Sequence, residues 1–355
     1  MKAHGLEILR FFSAFSVLVW HYQHFYAAEK MAYVANEQPL YKYLSFFYNY
    51  GSYGVQIFWC LSGFVFCMRY FLRNQGVVKI WNFFVNRFSR LYPLHFLTLL
   101  LVASLQYIYH YRYDSYFVYQ DNGLKSFIRQ IFFASSWFDV WRLSFNGPVW
   151  SVSVEVFIYF GFVFLLRLAS MFKIAALMIA LFCAVIWFAG IGNEFFECGA
   201  YFFVGVLCAM LVNSGFSKQK FLGLFCFYCL FIVCFFNMMS EGILLFALAP
   251  LMIIVMAVLP VSNQRLSGVC DFLGGLTYAS YLIHFPLQLM LVLVFGFLGL
   301  QLPVFNVLFF VGYLILVFSV SAVIFRKFEM PAQKFIRNFA LTNDADVMRH
   351  NGIVK

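Results

Sequence analysis

Charge is what this sequence has least of. Only 11% of its 355 residues are Asp, Glu, Lys or Arg, against the roughly 25% that a water-facing domain carries. A soluble surface for the whole chain is thereby excluded. Acids are scarcer than bases, 14 against 24, which leaves a net charge of +10. A nucleic-acid binder gathers its bases on one soluble face. Here they sit at the ends of apolar runs, so no nucleic-acid partner is expected. A second pair of metal ligands is missing too. Cys226 and Cys229 form a CxxC among nine cysteines, but no matching pair follows, and no metal site is expected. Most of the cysteines fall inside apolar runs, where a thiol behaves as a small hydrophobe. No small-residue cleavage site follows the first apolar run, which therefore reads as a span rather than a removed signal.

Apolar mass fills the rest. Hydrophobic residues make up 64% of the chain, Phe occurs 51 times, and the mean hydropathy is +0.85. Runs of about 20 apolar residues cross a bilayer as helices, because lipid offers backbone groups no partner outside the helix. The continuous blocks lack the alternation of a membrane β-barrel. The predicted fold is all-α: a polytopic transmembrane bundle of about ten spans, near 8–27, 53–72, 92–111, 147–166, 173–190, 198–213, 221–238, 242–260, 274–297 and 304–325. Positive loops stay cytoplasmic. With both termini inside, 18 of the 24 Lys and Arg residues fall on the cytoplasmic side, so N-in and C-in is the predicted topology. The spans and their loops form one domain over 1–335, followed by a cytoplasmic tail over 336–355. The outer stretch 112–146 is long and rich in Tyr, Asp and Trp, as a lid or partner surface would be. Ile80 to Arg90 is apolar and basic, suited to lying at the interface.

Ionisable groups inside spans are costly and mark function. Arg10 and His21 stand eleven residues apart, just over three helical turns, on one face and roughly 16 Å apart along the axis. His24 follows one turn further out on a neighbouring face. Arg87 and Arg90 are helix neighbours, two forked cations suited to phosphate, though an ordinary positive flank looks the same. Glu155 lies about two turns inside its span, at a depth where it can meet His21. A carboxylate there would fix the histidine's tautomer. His284 precedes Pro286, which frees a backbone carbonyl. Satisfying that kink and a functional role weigh equally for it.

These segments together resemble the acyltransferase 3 family of bacterial integral-membrane O-acyltransferases. The match runs from Arg10 and His21 through Ser52–Phe64, Arg87-Phe88-Ser89-Arg90-Leu91-Tyr92-Pro93, and Trp150–Tyr159, to Thr277–Pro286. It covers residues 5–335, with Cys60 standing where the family more often has an aliphatic residue. The resemblance implies a multi-pass protein of the bacterial inner membrane that takes an acyl group, acetyl by default, from cytoplasmic acyl-CoA. It implies delivery to a hydroxyl of an extracytoplasmic, lipid-linked or surface glycan. Acyl-CoA is then a co-substrate, with no bound cofactor, and the partners are acyl-CoA, the glycan and membrane lipids. His21 and Glu155 become the catalytic pair, and Arg10, Arg87 and Arg90 the acyl-CoA-binding cations. His24, Trp150, Tyr281 and His284 become supporting residues.

Chemically, His21 can act as general base on the acceptor hydroxyl or carry the acyl group itself. Many relatives bear an extra extracytoplasmic domain, and nothing after residue 326 is long enough for one. Transfer is therefore expected to finish in the membrane core or through a separate protein. Two other classes compete. A secondary transporter would use His21 and Glu155 as a proton relay. A scaffold would use the polar residues only to join helices.

Overall fold

A computed structural model describes residues 4–28, 33–73, 80–137, 143–168, 170–215, 241–259 and 263–350. The helices are α1 (His4–Trp20), α2 (His24–Ala28), α3 (Tyr41–Tyr50), α4 (Gly54–Phe66), α5 (Ile80–Tyr113), α6 (Leu124–Ile131) and α7 (Trp150–Arg167). They continue with α8 (Phe172–Phe188), α9 (Glu194–Asn213), α10 (Glu241–Val258), α11 (Gln264–Leu298), α12 (Val307–Ile324) and α13 (Met330–His350). Among the described residues there is no strand. Among the described residues seven helical stretches are long and apolar enough to cross a membrane, which makes the chain a multi-pass membrane protein. Each coincides with one of the predicted spans. The predicted span 8–27 falls on α1 and α2, and 173–190 falls on the apolar, 17-residue α8. The predicted span 221–238 and the Cys226–Cys229 pair lie outside the described residues.

Local signals set the helix ends. Asn193 and Asn306 cap α9 and α12 by accepting from the backbone N–H groups of Phe195 and Leu308. Gly299, at φ +67°, closes α11 in the left-handed turn that a Cβ would strain. Ile80 to Arg90 is helical. It runs without a break into the 34-residue α5, and Pro93 is absorbed inside that helix. At about 1.5 Å per residue such a helix is about 50 Å long, well beyond a hydrocarbon core of about 30 Å.

The chain divides into two compact units. The first comprises Met1–Val17, Tyr50–Val77 and Val154–Gly274. Its centre is the crossing of α4 and α9, where Gly63 lies against the Phe202 carbonyl and Gly205 against the Cys60 carbonyl. A side chain at either glycine would strike backbone, so these residues let the two helices approach as small residues do in membranes. Around them Phe66 packs against Tyr159, Phe162 and Phe202. Phe71 stacks on Phe172 with centroids 3.8 Å apart.

The second unit comprises Leu18–Asn49, Val78–Ser153 and Gly275–Lys355. Here α13 lies along α5. Trp81 Nε1 donates to the Ala340 carbonyl at 3.5 Å, and Arg337 Nε donates to Ser89 Oγ at 3.3 Å. Between α5 and α7 the chain turns through α6 and irregular backbone pinned by side chains. Gln106 brackets Phe117, accepting from its N–H and donating to its carbonyl, both at 2.9 Å. His95 Nε2 donates to the Gln130 carbonyl at 2.7 Å. Gln130 in turn donates to the Ser144 carbonyl at 2.9 Å.

Candidate functional site

The second unit gathers three histidines. The α-helical path of α1 stops at Trp20, and His21–Gln23 forms a 3₁₀ turn before α2 starts at His24. In a 3₁₀ turn residues i and i+3 eclipse each other. His24 follows one such turn after His21, with ring centroids 4.8 Å apart. From α11 the His284 ring reaches to 4.9 Å from that of His21. All three are buried, at 6%, 7% and 0% exposure for His21, His24 and His284.

Pro286 lies inside the continuous α11, two residues past His284. Proline has no N–H to give the carbonyl four residues back, which is that of Leu282. That carbonyl accepts Asn146 Nδ2 at 3.0 Å. The carbonyl that Pro286 leaves without its N–H is thus satisfied by Asn146, and His284 is not needed for it. The His284 Nδ1 donates to the Ser280 carbonyl at 3.3 Å. Its Nε2 then carries a lone pair and is buried without a hydrogen-bond partner. Asn146 Oδ1 is a second buried acceptor in the same condition.

Tyr281 belongs to the frame. Tyr281 Oη donates to the Pro148 carbonyl at 2.8 Å and lies 2.7 Å from Ser151 Oγ. This fastens α11 to the Gly147–Val149 turn that opens α7, where Trp150 is the first helical residue. Gln288, four residues beyond His284, donates from Nε2 to the His21 carbonyl at 2.9 Å. Its Oε1 lies 3.0 Å from His24 Nδ1. From the irregular segment before α6, Tyr119 brings its hydroxyl to 3.4 Å from His24 Nε2. Burial pushes the Tyr119 phenol well above its usual range, so at neutral pH it is a donor.

The cations separate into two settings. Arg87 and Arg90 are half-buried on α5, and Arg90 lies within electrostatic reach of Glu329. In the first unit, Arg10 Nη1 contacts both Glu7 carboxylate oxygens, at 3.0 and 3.1 Å. One nitrogen of the five-donor fork is thus engaged by its own helix. Glu155, also in the first unit, accepts from Tyr159 Oη at 2.9 Å and lies within electrostatic reach of Cys198. Among the described residues no group of three or more His, Cys, Asp or Glu is arranged to hold a metal ion.

Sequence reasoning missed Gln288, Asn146 and Tyr119. An amide in an apolar run such as Leu287-Gln288-Leu289 is itself a costly polar group in lipid. Weighing amides as well as ionisable groups would have found Gln288. Tyr119 is one of 22 tyrosines and carries no such signal.

A family model described as an acyltransferase domain matches residues 3–326. No curated protein and no solved structure matches the chain.

Proposed function

The chain belongs to the acyltransferase 3 family, and from that premise we propose that it moves an acyl group, acetyl by default, from acyl-CoA to a hydroxyl of a glycan. The observation that carries this reading is the buried histidine cluster with its surplus of acceptors. His284 Nε2 and Asn146 Oδ1 are enclosed with no donor. A buried acceptor without a donor is costly, so the site suits a ligand that brings O–H or N–H groups. A hydroxyl acceptor does so.

His21 takes the proton from the acceptor hydroxyl as its oxygen attacks the thioester carbonyl. The C–S bond breaks, the proton passes to the departing thiolate, and an ester and free CoA thiol result. In the variant with a covalent step, the His21 ring nitrogen first takes the acyl group and the hydroxyl then displaces it. Glu155 is assigned to orient His21 and stabilise its charged form. Arg10, Arg87 and Arg90 are assigned to the phosphates of CoA, which fork geometry favours. The reading places acyl-CoA on the cytoplasmic face of a bacterial inner membrane and the glycan on the other, consistent with the positive-inside bias for N-in and C-in. The alternative of a secondary transporter draws no support from the family match.

Release of CoA thiol by membranes carrying the full chain, given acyl-CoA and acceptor, tests this. His21→Ala is expected to lower the rate by about 10²-fold or more. A near wild-type rate at unchanged expression would remove His21 from the mechanism. For the arginines, Arg87→Ala and Arg90→Ala are expected to weaken the thermal protection given by acyl-CoA while leaving the ligand-free melting point in place.

A further inference from the structure

The hydrogen bonds around Gln288 have only one consistent set of directions. The His21 carbonyl can only accept, so Gln288 must turn its amide nitrogen toward it, at 2.9 Å. That leaves Oε1 facing His24 Nδ1 at 3.0 Å, and two acceptors cannot face each other. His24 therefore carries its proton on Nδ1, which leaves a lone pair on Nε2. Tyr119 Oη, 3.4 Å from that nitrogen, is the donor to it. Every donor points the same way, from Tyr119 through His24 and Gln288 to the His21 backbone.

Both ends of this chain are held by unusual backbone. At one end the His21 carbonyl belongs to the 3₁₀ turn His21–Gln23. At the other, the Tyr119 N–H bonds to the Phe117 carbonyl at 2.7 Å across Val118, whose φ is +58°. That is the rarer, strained form of the γ-turn, and a β-branched residue pays most for it. Such strain persists where surroundings over-determine it and collects at functional sites. Here the surroundings are Gln106, bonded to both the N–H and the carbonyl of Phe117. Tyr119 also lies over Gly147, where a Cβ would strike its ring, and 5.2 Å from Phe285.

We propose that Gln288 is a positioning residue for the His21 site, fixing His21 through its backbone and His24 as the Nδ1–H tautomer that receives Tyr119. The proposal rests on the acyl-transfer reading only for its consequence in rate. Its geometry can be tested without any reaction.

Ring-¹⁵N histidine labelling of the full chain in proteoliposomes reads the tautomer, with His24 assigned by the signal lost in His24→Asn. The expected result is a neutral His24 protonated on Nδ1. Protonation on Nε2 would overturn the proposal whatever the variants do. Gln288→Met keeps the volume and removes both bonds. It is expected to release the tautomer and slow CoA-thiol production by about 10-fold or more, within the range acid–base placement commands. Gln288→Glu can still accept from Nδ1–H but cannot donate to the His21 carbonyl. It is expected to keep the tautomer and lose rate, a split that merely structural damage would not give. A Gln288→Met protein with wild-type rate and an unchanged His24 signal would also overturn the proposal. His21→Ala membranes that retain transfer would instead defeat the catalytic reading and leave the tautomer result standing.

Discussion

The two units solve the problem of life in lipid by different means. The first is held by shape. Glycines at positions 63 and 205 let helices meet backbone to backbone, and rings such as Phe66, Phe162 and Phe202 fill the remaining space. The second is held by polar side chains that reach distant backbone carbonyls. Tyr22 donates to Val304 at 2.8 Å, Tyr278 to Leu91 at 2.6 Å, and Asn146 and Gln288 to Leu282 and His21. Both units contain irregular backbone: a 3₁₀ turn at Gly51–Tyr53, a π-helical stretch at Cys67–Leu72 and Pro250 inside α10 in the first, and the His21–Gln23 turn and Pro286 in the second. A plain helix satisfies its own backbone, whereas Pro286 leaves the Leu282 carbonyl without its usual N–H, a loss that lipid cannot make good. A polar residue in a membrane span is thus often the partner of broken backbone, and chemistry is then built where the backbone is broken.

The comparison is broken most easily at its extremes. Gly205→Val puts branched carbons into the Cys60 carbonyl, and overpacking that cannot relax costs about 1–3 kcal/mol or more. Loss of folded protein is expected, read as detergent-extracted monomer after gentle heating. Asn146→Ala in the second unit removes the donor to the Leu282 carbonyl, leaving a buried acceptor unsatisfied at a cost of about 1–3 kcal/mol. The fold is expected to survive with a lower melting temperature. His284 is expected to lose its placement, so CoA-thiol release falls more than stability does. If Asn146→Ala instead cost only stability, the second unit's polar contacts would be framework alone.

Much of this contrast was open to the sequence, and some was not. The apolar runs marked the long helices because a span leaves a 20-residue signature that nothing else imitates. Arg10, His21, Glu155 and His284 stood out because charge in lipid is expensive. What the sequence could not show is that Trp20-His21 changes from α to 3₁₀ geometry, since no proline or glycine marks the place. The close approach of the His21 and His24 rings, with centroids 4.8 Å apart, spans that change. Likewise Pro286 announced a free carbonyl but not its partner. Asn146 lies 136 residues away from Leu282 along the chain, and only folding brings the two together. The sequence also did not show that Ile80–Arg90 continues as one helix into the span that follows it.

The smallest expected effect is the most discriminating one. Tyr119→Phe keeps the ring over Gly147 and beside Phe285 and removes only the hydroxyl. A 3.4 Å contact is a long hydrogen bond, so its removal costs no more than about 1 kcal/mol of stability, and the melting temperature is expected to stay within a few degrees. Its effect falls on His24, whose Nε2 loses its donor, and CoA-thiol release is expected to drop about 3-fold, an energy of under 1 kcal/mol. Tyr159→Phe in the first unit removes a hydroxyl from Glu155 at 2.9 Å, a shorter and stronger bond. Were hydroxyl loss felt only through stability, Tyr159→Phe would lower the melting temperature more and Tyr119→Phe would leave the rate untouched. A rate loss at Tyr119 without a melting shift is the outcome that places the irregular segment before α6 in the working site rather than in its frame.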